Sequence, residues 1–295
     1  MATVIAHGYR EDMTTPSDIS AADPALIGPI GPDRLHVMCW NIRRPFPHLA
    51  KRHPDRWEDR RWLLIRLLAS EQPSVIGMQE VVPDQLHILR AALGPSWQWV
   101  GYGRNADHGG EHCPIFYDTD RLRLDSWKQV ALSATPDIPG SRSWGNMIPR
   151  VAVTARFTDL GTGLPIVIIN THFDHLSRKS RYASARMLSE LAVVETDAVV
   201  VMGDMNTTAR SMPYRYLTRE GGLRDSWVVA RSRLTEAWGT YSGYRPPKHG
   251  GIRIDWILVN DAVEVESAGI NAVRFAGAAA SDHEPIQAVL HVKKE

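Results

Sequence analysis

The residues able to do chemistry in this chain recur at one kind of place. Asn41, Glu80, His172, Asp204 with Asn206, Asp255, and Asp282 with His283 each stand at or near the end of an apolar stretch. They are carboxylates, amides and imidazoles, with no thiol among them. Oxygen-rich sets of this kind suit a hard divalent cation, Mg²⁺ with Mn²⁺ as a substitute, held through one or two carboxylates with water positions left for phosphate oxygens. Taken singly, each residue has a plainer reading. Glu80 can cap a following helix, His172 can be a hydrogen-bonded core histidine, and Asp255 can pair with Arg253. Taken together, the repetition points to one convergent site.

The stretch 199–206 states the pattern most sharply, as Val-Val-Val-Met-Gly-Asp-Met-Asn. A run this apolar is buried on both faces, so only its polar end can meet a ligand. Asp204 and Asn206, two residues apart, share one side of an extended chain and can address one small target, such as a metal-bound water or a phosphate oxygen. The stretches 35–41, 75–80 and 165–172 repeat the design and end at Asn41, Glu80 and His172.

The elements that must hold these ends follow from periodicity. Helical spacing is expected over 57–68, over 84–93 with Gly94 as its C-cap, and over 177–194, where Met187, Leu188, Leu191 and Val194 form a core stripe. A Pro-initiated helix is expected over 213–218. Further strands are expected over 97–102, 114–117, 123–130, 150–157, 252–259, 263–268 and 286–292. The long Gly-rich and polar loops 101–113 and 135–149 are of a length that is often functional. Strands apolar on both faces, with helices between them, make sheets covered by helices. Residues 1–33, rich in Asp, Pro, Ser, Thr and Gly, read as a flexible N-terminal arm, and 34–295 as one catalytic domain, because the polar ends come from both halves.

Composition narrows the class. The 295 residues are 43% hydrophobic and 23% charged, which excludes disorder of the whole chain. A net charge of +1 gives no global push toward nucleic acid or an acidic membrane. Cys39 and Cys113 are too few for a disulfide scaffold and make no Cys-x-x-Cys zinc site. No apolar run approaches a membrane span, and the first residues lack the basic start and apolar core of a signal peptide. The expected setting is a reducing cytoplasm.

Six short motifs carry a resemblance. Trp40-Asn41-Ile42-Arg43, Gly77-Met78-Gln79-Glu80, Asn170-Thr171-His172, Gly203-Asp204-Met205-Asn206, Arg253-Ile254-Asp255-Trp256 and Ser281-Asp282-His283 resemble, in order, the motif set of the endonuclease/exonuclease/phosphatase family. Met205 stands where Phe or Leu is usual, a conservative departure. The resemblance runs from Leu35 to the C-terminus and implies an α/β fold, a four-layer α/β/β/α sandwich with the site at one edge of two packed sheets. It further implies that Glu80, assisted by Asn41 and Asp282, holds Mg²⁺. Asp204 orients or deprotonates the attacking water, and Asn206 fixes it. His172 donates to phosphoryl oxygens, and His283, paired with Asp255, serves as acid, base or oxyanion donor. Gly101-Tyr102-Gly103-Arg104, Gly110-Glu111-His112, Pro149-Arg150 and His172-Phe173-Asp174-His175 with Arg181 are similar to a bacterial branch of the family. They make Arg104, His112, Arg150 and Arg181 candidates for gripping a terminal phosphate. Trp144 and Tyr244, in long loops, are candidates for stacking on a base or sugar.

The leading expectation is a Mg²⁺-dependent phosphoester hydrolase acting on a small soluble phosphate ester, with no membrane and no obligate protein partner. The alternative is an endo- or exonuclease, against which the lack of a Lys/Arg-rich segment counts, because duplex binding rests on neutralising phosphates. A catalytically inactive binding module on the same fold is a third reading. Binuclear metallophosphatases are set aside, because their early Asp-x-His and Gly-Asn-His motifs are absent from the sequence.

Overall fold

Alternation of side chains along the strands dictates three apolar layers, and the computed structural model, which describes residues 25–47, 53–195 and 197–293, has all three. In chain order the elements begin with β1 (Leu35–Asn41), α1 (Trp57–Glu71), β2 (Val75–Gln79), α2 (Pro83–Leu93), β3 (Trp97–Val100) and β4 (Ile115–Asp118). Next come β5 (Leu122–Ala131), β6 (Val151–Asp159), β7 (Pro165–His172), α3 (Arg178–Val193), β8 (Ala198–Asp204) and α4 (Met212–Arg215). The rest are β9 (Arg224–Asp225), α5 (Ser226–Val229), β10 (Ser232–Arg233), β11 (Asp255–Val259), β12 (Val263–Ile270) and β13 (Ile286–Val292). One mixed sheet has the order β10-β12-β13-β1-β2-β4-β3, the other β5-β6-β7-β8-β11-β9.

On β1, Leu35, Val37 and Cys39 face the second sheet, meeting Ile166, Ile168, Val200 and Met202 in a shared core. Met38 and Trp40 point the other way and pack under α1 and α2 against Leu64, Leu68, Leu86 and Leu89. On the far side, Val167, Ile169, Val199 and Val201 are covered by Ala185 and Leu188 of α3. The period-2 pattern therefore gives α/β/β/α, the expected four layers.

Two parallel crossovers set where strands end. β1 runs parallel to β2 through α1, and β7 parallel to β8 through α3. Their C-terminal ends bring Asn41, Glu80, His172 and Asp204 to one rim. β11 is antiparallel to β8 with Asp255 opposite Asp204, and β13, antiparallel to β1, is preceded by Asp282 and His283. The strand over 252–259 therefore starts three residues later than expected. Residues 252–254 are engaged with Thr240 instead, whose hydroxyl accepts from the Ile254 and Asp255 amides (3.0 Å each).

Buried polar groups pin the two sheets behind this rim. Asn170 on β7 donates to the Met78 and Pro114 carbonyls (2.8 Å each) and accepts from Gln79 Nε2 (2.7 Å). Gly77 and Gly203 permit the close approach there. A Cβ on Gly203 would lie 2.2 Å from the Thr171 carbonyl oxygen of the neighbouring strand, with φ at +157°. Gly203→Ala is expected to destabilise the protein by about 3 kcal/mol or more, because the obstruction is backbone. Urea denaturation measures this, and a loss below about 1 kcal/mol is evidence against so tight a contact.

Most of the arm expected over 1–33 lies outside the described residues. From 25 onward the chain is anchored, with the Leu26, Ile27 and Gly28 amides donating to the buried Glu71 carboxylate at 2.7–3.4 Å. The expected 213–218 helix is a single α-turn, α4, followed by a π-helical turn over Tyr216–Glu220. Among the described residues no helix is long and apolar enough to cross a membrane, and both cysteines are buried free thiols.

Candidate active site

The rim encloses a cleft of about 500 Å³ lined by Glu80, His172, Asp204, Asn206, Asp282 and His283 from the expected set, together with Arg104 and Arg150. Glu80 does not cap α2, whose N-cap is Val82. It sits at φ +61°, an unfavourable backbone state for a residue with a Cβ, and such states persist where surrounding contacts enforce them. Here the enforcing contacts are hydrogen bonds, from Asn41 Nδ2 (3.1 Å) and from the Arg44 amide (3.2 Å). Burial opposes the Glu80 charge, but the Asn41 amide and the Arg43 guanidinium outweigh it and hold the carboxyl below its usual range.

Asn41 Nδ2 also donates to Asp204 Oδ2 (3.0 Å), while its Oδ1 accepts from the Arg43 amide (3.0 Å). It therefore faces the two carboxylates as a donor bridging them. Asp204 is almost fully buried, and burial together with the charge of Asp255 pushes its pKa up to about 7, against the opposing pull of His283. Asp204 and Asn206 do not share one side of an extended strand. Asn206 is left-handed at φ +47°, and its amide folds back on Asp204 Oδ1 (2.9 Å). This turn sends the Asn206 side chain to the Phe173 carbonyl (3.0 Å) and His172 Nε2 (2.9 Å).

Those contacts fix protons. Because one acceptor of Asn206 Nδ2 is a backbone carbonyl, the amide nitrogen is the atom that faces His172, and Nε2 of that ring must accept. His172 is accordingly neutral, and burial, with the charges of Arg150 and Arg104, holds its pKa well below the usual value. Its Nε2 lies 3.5 Å from Asp204 Oδ2 without a hydrogen bond between them. His283 is the opposite case. Burial disfavours its cation, yet Asp255, hydrogen-bonded to Nδ1 at 2.9 Å, and Asp204 hold its pKa well above 6.5. Arg253, the alternative partner for Asp255, pairs with Asp225 (2.6 Å) instead.

A raised imidazole pKa stabilises the fold fully below the unfolded value near 6.5 and progressively less as pH rises through the folded value. Asp255→Asn is therefore expected to lower stability by ~3 kcal/mol at pH 5–6. The deficit shrinks in alkaline solution, as a urea titration at several pH values will measure. A deficit that grows with pH rules out the cationic pair.

In the same cleft lining Arg150, 2% exposed, donates from its terminal NH2 to His175 Nδ1 (3.0 Å). Arginine cannot accept, so His175 carries its proton on Nε2. Nε of Arg150 lies 3.8 Å from Asp174, and neither Nε nor NH1 has a hydrogen-bond acceptor among the described residues. Buried donors without acceptors are rare and call for an explanation. Arg104 is held end-on by Glu111 at 2.6 and 2.7 Å.

Two expected phosphate ligands lie elsewhere. His112 is turned back on the Gly110 carbonyl (3.0 Å) and ties its loop to Val81. Arg181 rides on α3 away from the cleft, donating to the Asp174 carbonyl (2.8 Å) and lining a separate hollow with Tyr182 and Pro213. The Tyr244 hydroxyl is tied to Asp55 (2.6 Å), and Trp144 is absent from the cleft lining. Sequence reasoning missed Arg43, Arg44, Glu111, His175 and Tyr241 as cleft residues. Only Arg43, Glu111 and His175 had a signal, lying inside motifs already singled out.

The donor set fits a divalent cation. Glu80, Asp204 and Asp282 turn oxygens to one cavity, and Asp204, Asp255 and His283 place ligating atoms within 4.8 Å of one another. His283 Nδ1 is engaged with Asp255, but Asp255 Oδ1 is buried without a partner. Arg43 lies between the carboxylates, 3.8 Å from Glu80 and 3.8 Å from Asp282, as a monovalent cation does in an acidic hollow.

Fold and site together define a metal-dependent phosphoester hydrolase. The chain belongs to the Endonuclease/Exonuclease/phosphatase family, whose sequence profile matches residues 38–283. An endonuclease/exonuclease/phosphatase from Bacteroides vulgatus superposes with a TM-score of 0.81 at 29% identity, over 88% of this chain and 99% of that one. A mannosyl-6-phosphatase from Bacteroides thetaiotaomicron superposes with a TM-score of 0.79 at 28% identity, over 87% and 99%. Nocturnin from Drosophila melanogaster is 24% identical over 163 residues, 49% of this chain but 23% of its own length, so the chain spans about a quarter of that relative.

Proposed function

We propose that the protein is a Mg²⁺-dependent phosphatase acting on a small, soluble phosphate monoester in the cytoplasm, as one catalytic domain over 34–295 without an obligate protein partner. The observation that carries this is one small cleft that holds both kinds of group. Its lining joins the carboxylates of Glu80, Asp204 and Asp282 with the buried Arg150, whose Nε and NH1 have no hydrogen-bond acceptor among the described residues. A cleft of about 500 Å³ suits a small ligand. The similarity to a mannosyl-6-phosphatase supports the monoester, and two free thiols suit a reducing compartment.

Glu80 and Asp282, with Asp204 beside them, would hold the cation. When bound, Mg²⁺ supplies Lewis-acid stabilisation of the phosphoryl oxygens. Arg150 and His175 Nε2–H bind the remaining phosphate oxygens, with Arg104, held by Glu111, in the same lining. Asp204, with a pKa near 7, takes the proton of the attacking water as its oxygen bonds to phosphorus. The imidazolium of His283 gives its Nε2 proton to the departing alcohol oxygen as the P–O bond breaks. Nε2 faces Asp204 Oδ2 at 3.8 Å, so the proton gained by Asp204 can return to His283 and close the cycle. Neutral His172, its Nε2 held by Asn206 Nδ2, stands beside Asp204 at the cleft lining.

The test is hydrolysis of a matched monoester and diester after chelation and Mg²⁺ repletion. Turnover of the monoester, restored by Mg²⁺, is expected; its absence overturns the reading. One observation favours a nuclease as the second reading. A hollow of about 710 Å³ adjoins the cleft at Tyr241 and is lined by Arg210, Arg245 and Lys248, none of which has a carboxylate partner among the described residues. Mg²⁺-dependent nicking of plasmid DNA would decide for it.

A further inference from the structure

The two long loops flagged by the sequence, 101–113 and 135–149, are left over by this chemistry, yet they build something. They meet where Gly140, at φ +73°, passes so close to Ala106 that a Cβ would lie 2.5 Å from its amide nitrogen. Together with the edge strand β5 they enclose a hollow of about 400 Å³ beside the catalytic cleft. Arg104 lines both cavities, so a group on phosphate in the cleft and a group in the hollow are neighbours across one side chain.

The floor of the hollow is aromatic. Tyr102, 50% exposed, stands 5.0 Å from Trp127 at an interplanar angle of 58°, and 4.8 Å from His108 at 46°. The cluster is preformed. The Tyr102 amide donates to Gln129 Oε1 (2.8 Å), and the Gly103 amide donates to the His108 carbonyl (2.9 Å). His108 itself is held in the left-handed region at φ +62°, a strain that surrounding contacts must enforce. Asn105 and Asp137 add an amide and a carboxylate to the same lining. Exposed aromatic faces beside hydrogen-bonding groups suit a ligand with an apolar C–H face and a polar hydroxyl edge. No two rings are parallel, so the cluster offers no slot for a flat base to stack in.

We propose that this hollow binds the alcohol part of the substrate, and that this part is a saccharide ring. The proposal rests on the monoester reading above and names its substrate class, a sugar phosphate whose phosphate reaches Arg150 past Arg104 while its ring lies on Tyr102 and Trp127.

Saturation-transfer NMR on the full chain tests the hollow without turnover, with methyl α-mannopyranoside and adenosine as probes. Transfer to the sugar ring protons is expected, falling at least fivefold in Tyr102→Ala and in Trp127→Ala. Tyr102 is half exposed, so its variant stays informative if the tryptophan variant fails to fold. In parallel, the kcat/KM ratio of a hexose 6-phosphate over propyl phosphate is expected to exceed about ten and to collapse toward unity in Tyr102→Ala. Sugar signals that are absent, or that survive both substitutions, overturn the proposal. So do adenosine signals that vanish in the variants while sugar signals do not. If neither phosphate is turned over, the monoester reading fails, and the NMR result still decides what the hollow binds.

Discussion

Asp204→Asn is expected to lower kcat by about 10³–10⁴ with little change in fold. The carboxylate has a pKa pushed up to about 7, which matches a proton acceptor working near neutrality. It is also the group toward which Asn41, His172 and His283 all point, at 3.0, 3.5 and 3.8 Å. Its raised pKa has a second consequence. The folded protein holds a proton that the unfolded chain releases near pH 4, so stability of the metal-free protein falls as pH rises from about 4 through about 7. A displacement of roughly three units bounds the effect at about 4 kcal/mol. The amide introduced by the substitution has a single oxygen for the Asn41 and Asn206 donors, so about 1–2 kcal/mol of gain is expected to survive at pH 8, and none at pH 4. Urea titrations of the metal-free variant and parent at both pH values measure this. A variant that keeps more than a tenth of parental kcat would remove Asp204 from the chemistry.

Glu80→Gln is expected to be nearly as severe through a different route. The carboxylate is kept ionised by Asn41 and Arg43 in spite of burial, and it is shaped into the cleft by a backbone state at φ +61°. Gln keeps the size and one acceptor but removes the charge that would hold a divalent cation. Activity at a fixed Mg²⁺ concentration is expected to fall about 10³-fold. The thermal signature separates this from a loss of chemistry. Mg²⁺ at about 100 times its Kd stabilises a binding fold by ~2.7 kcal/mol, a rise of several degrees in Tm. Asp204→Asn is expected to keep most of that rise and Glu80→Gln to lose it. An undiminished rise in Glu80→Gln would move the cation to the Asp204–Asp255–His283 cluster.

Much of the frame was legible because it rests on local periodicity. The apolar runs 35–41, 165–170 and 199–204 mark strands buried on both faces, and helical stripes mark what covers them. Sheets covered by helices follow from the residues, while the four layers follow from the family resemblance. The ends of those strands were legible for the same reason, since a polar residue closing a buried run has one place to go. What alternation cannot carry is what happens after the strand stops. Asp204 and Asn206 read as neighbours on an extended chain, but the left-handed turn at Asn206 redirects its amide to His172. That turn decides which imidazole is neutral.

The sequence by itself determined that buried apolar strands close on polar residues, and the family whose motifs stand at those ends. Only the tertiary structure decided the partners. Asp255 goes to His283 and Arg253 to Asp225, a choice made by the antiparallel register of β11 on β8. His112 and Arg181 leave the cleft while Arg43 and His175 enter it, because loops and helix starts place side chains by long-range contacts that no local spacing encodes. The protonation of each buried group follows the same division. A side chain carries its own intrinsic pKa, but burial and the charges brought beside it by distant segments set the value it has when folded.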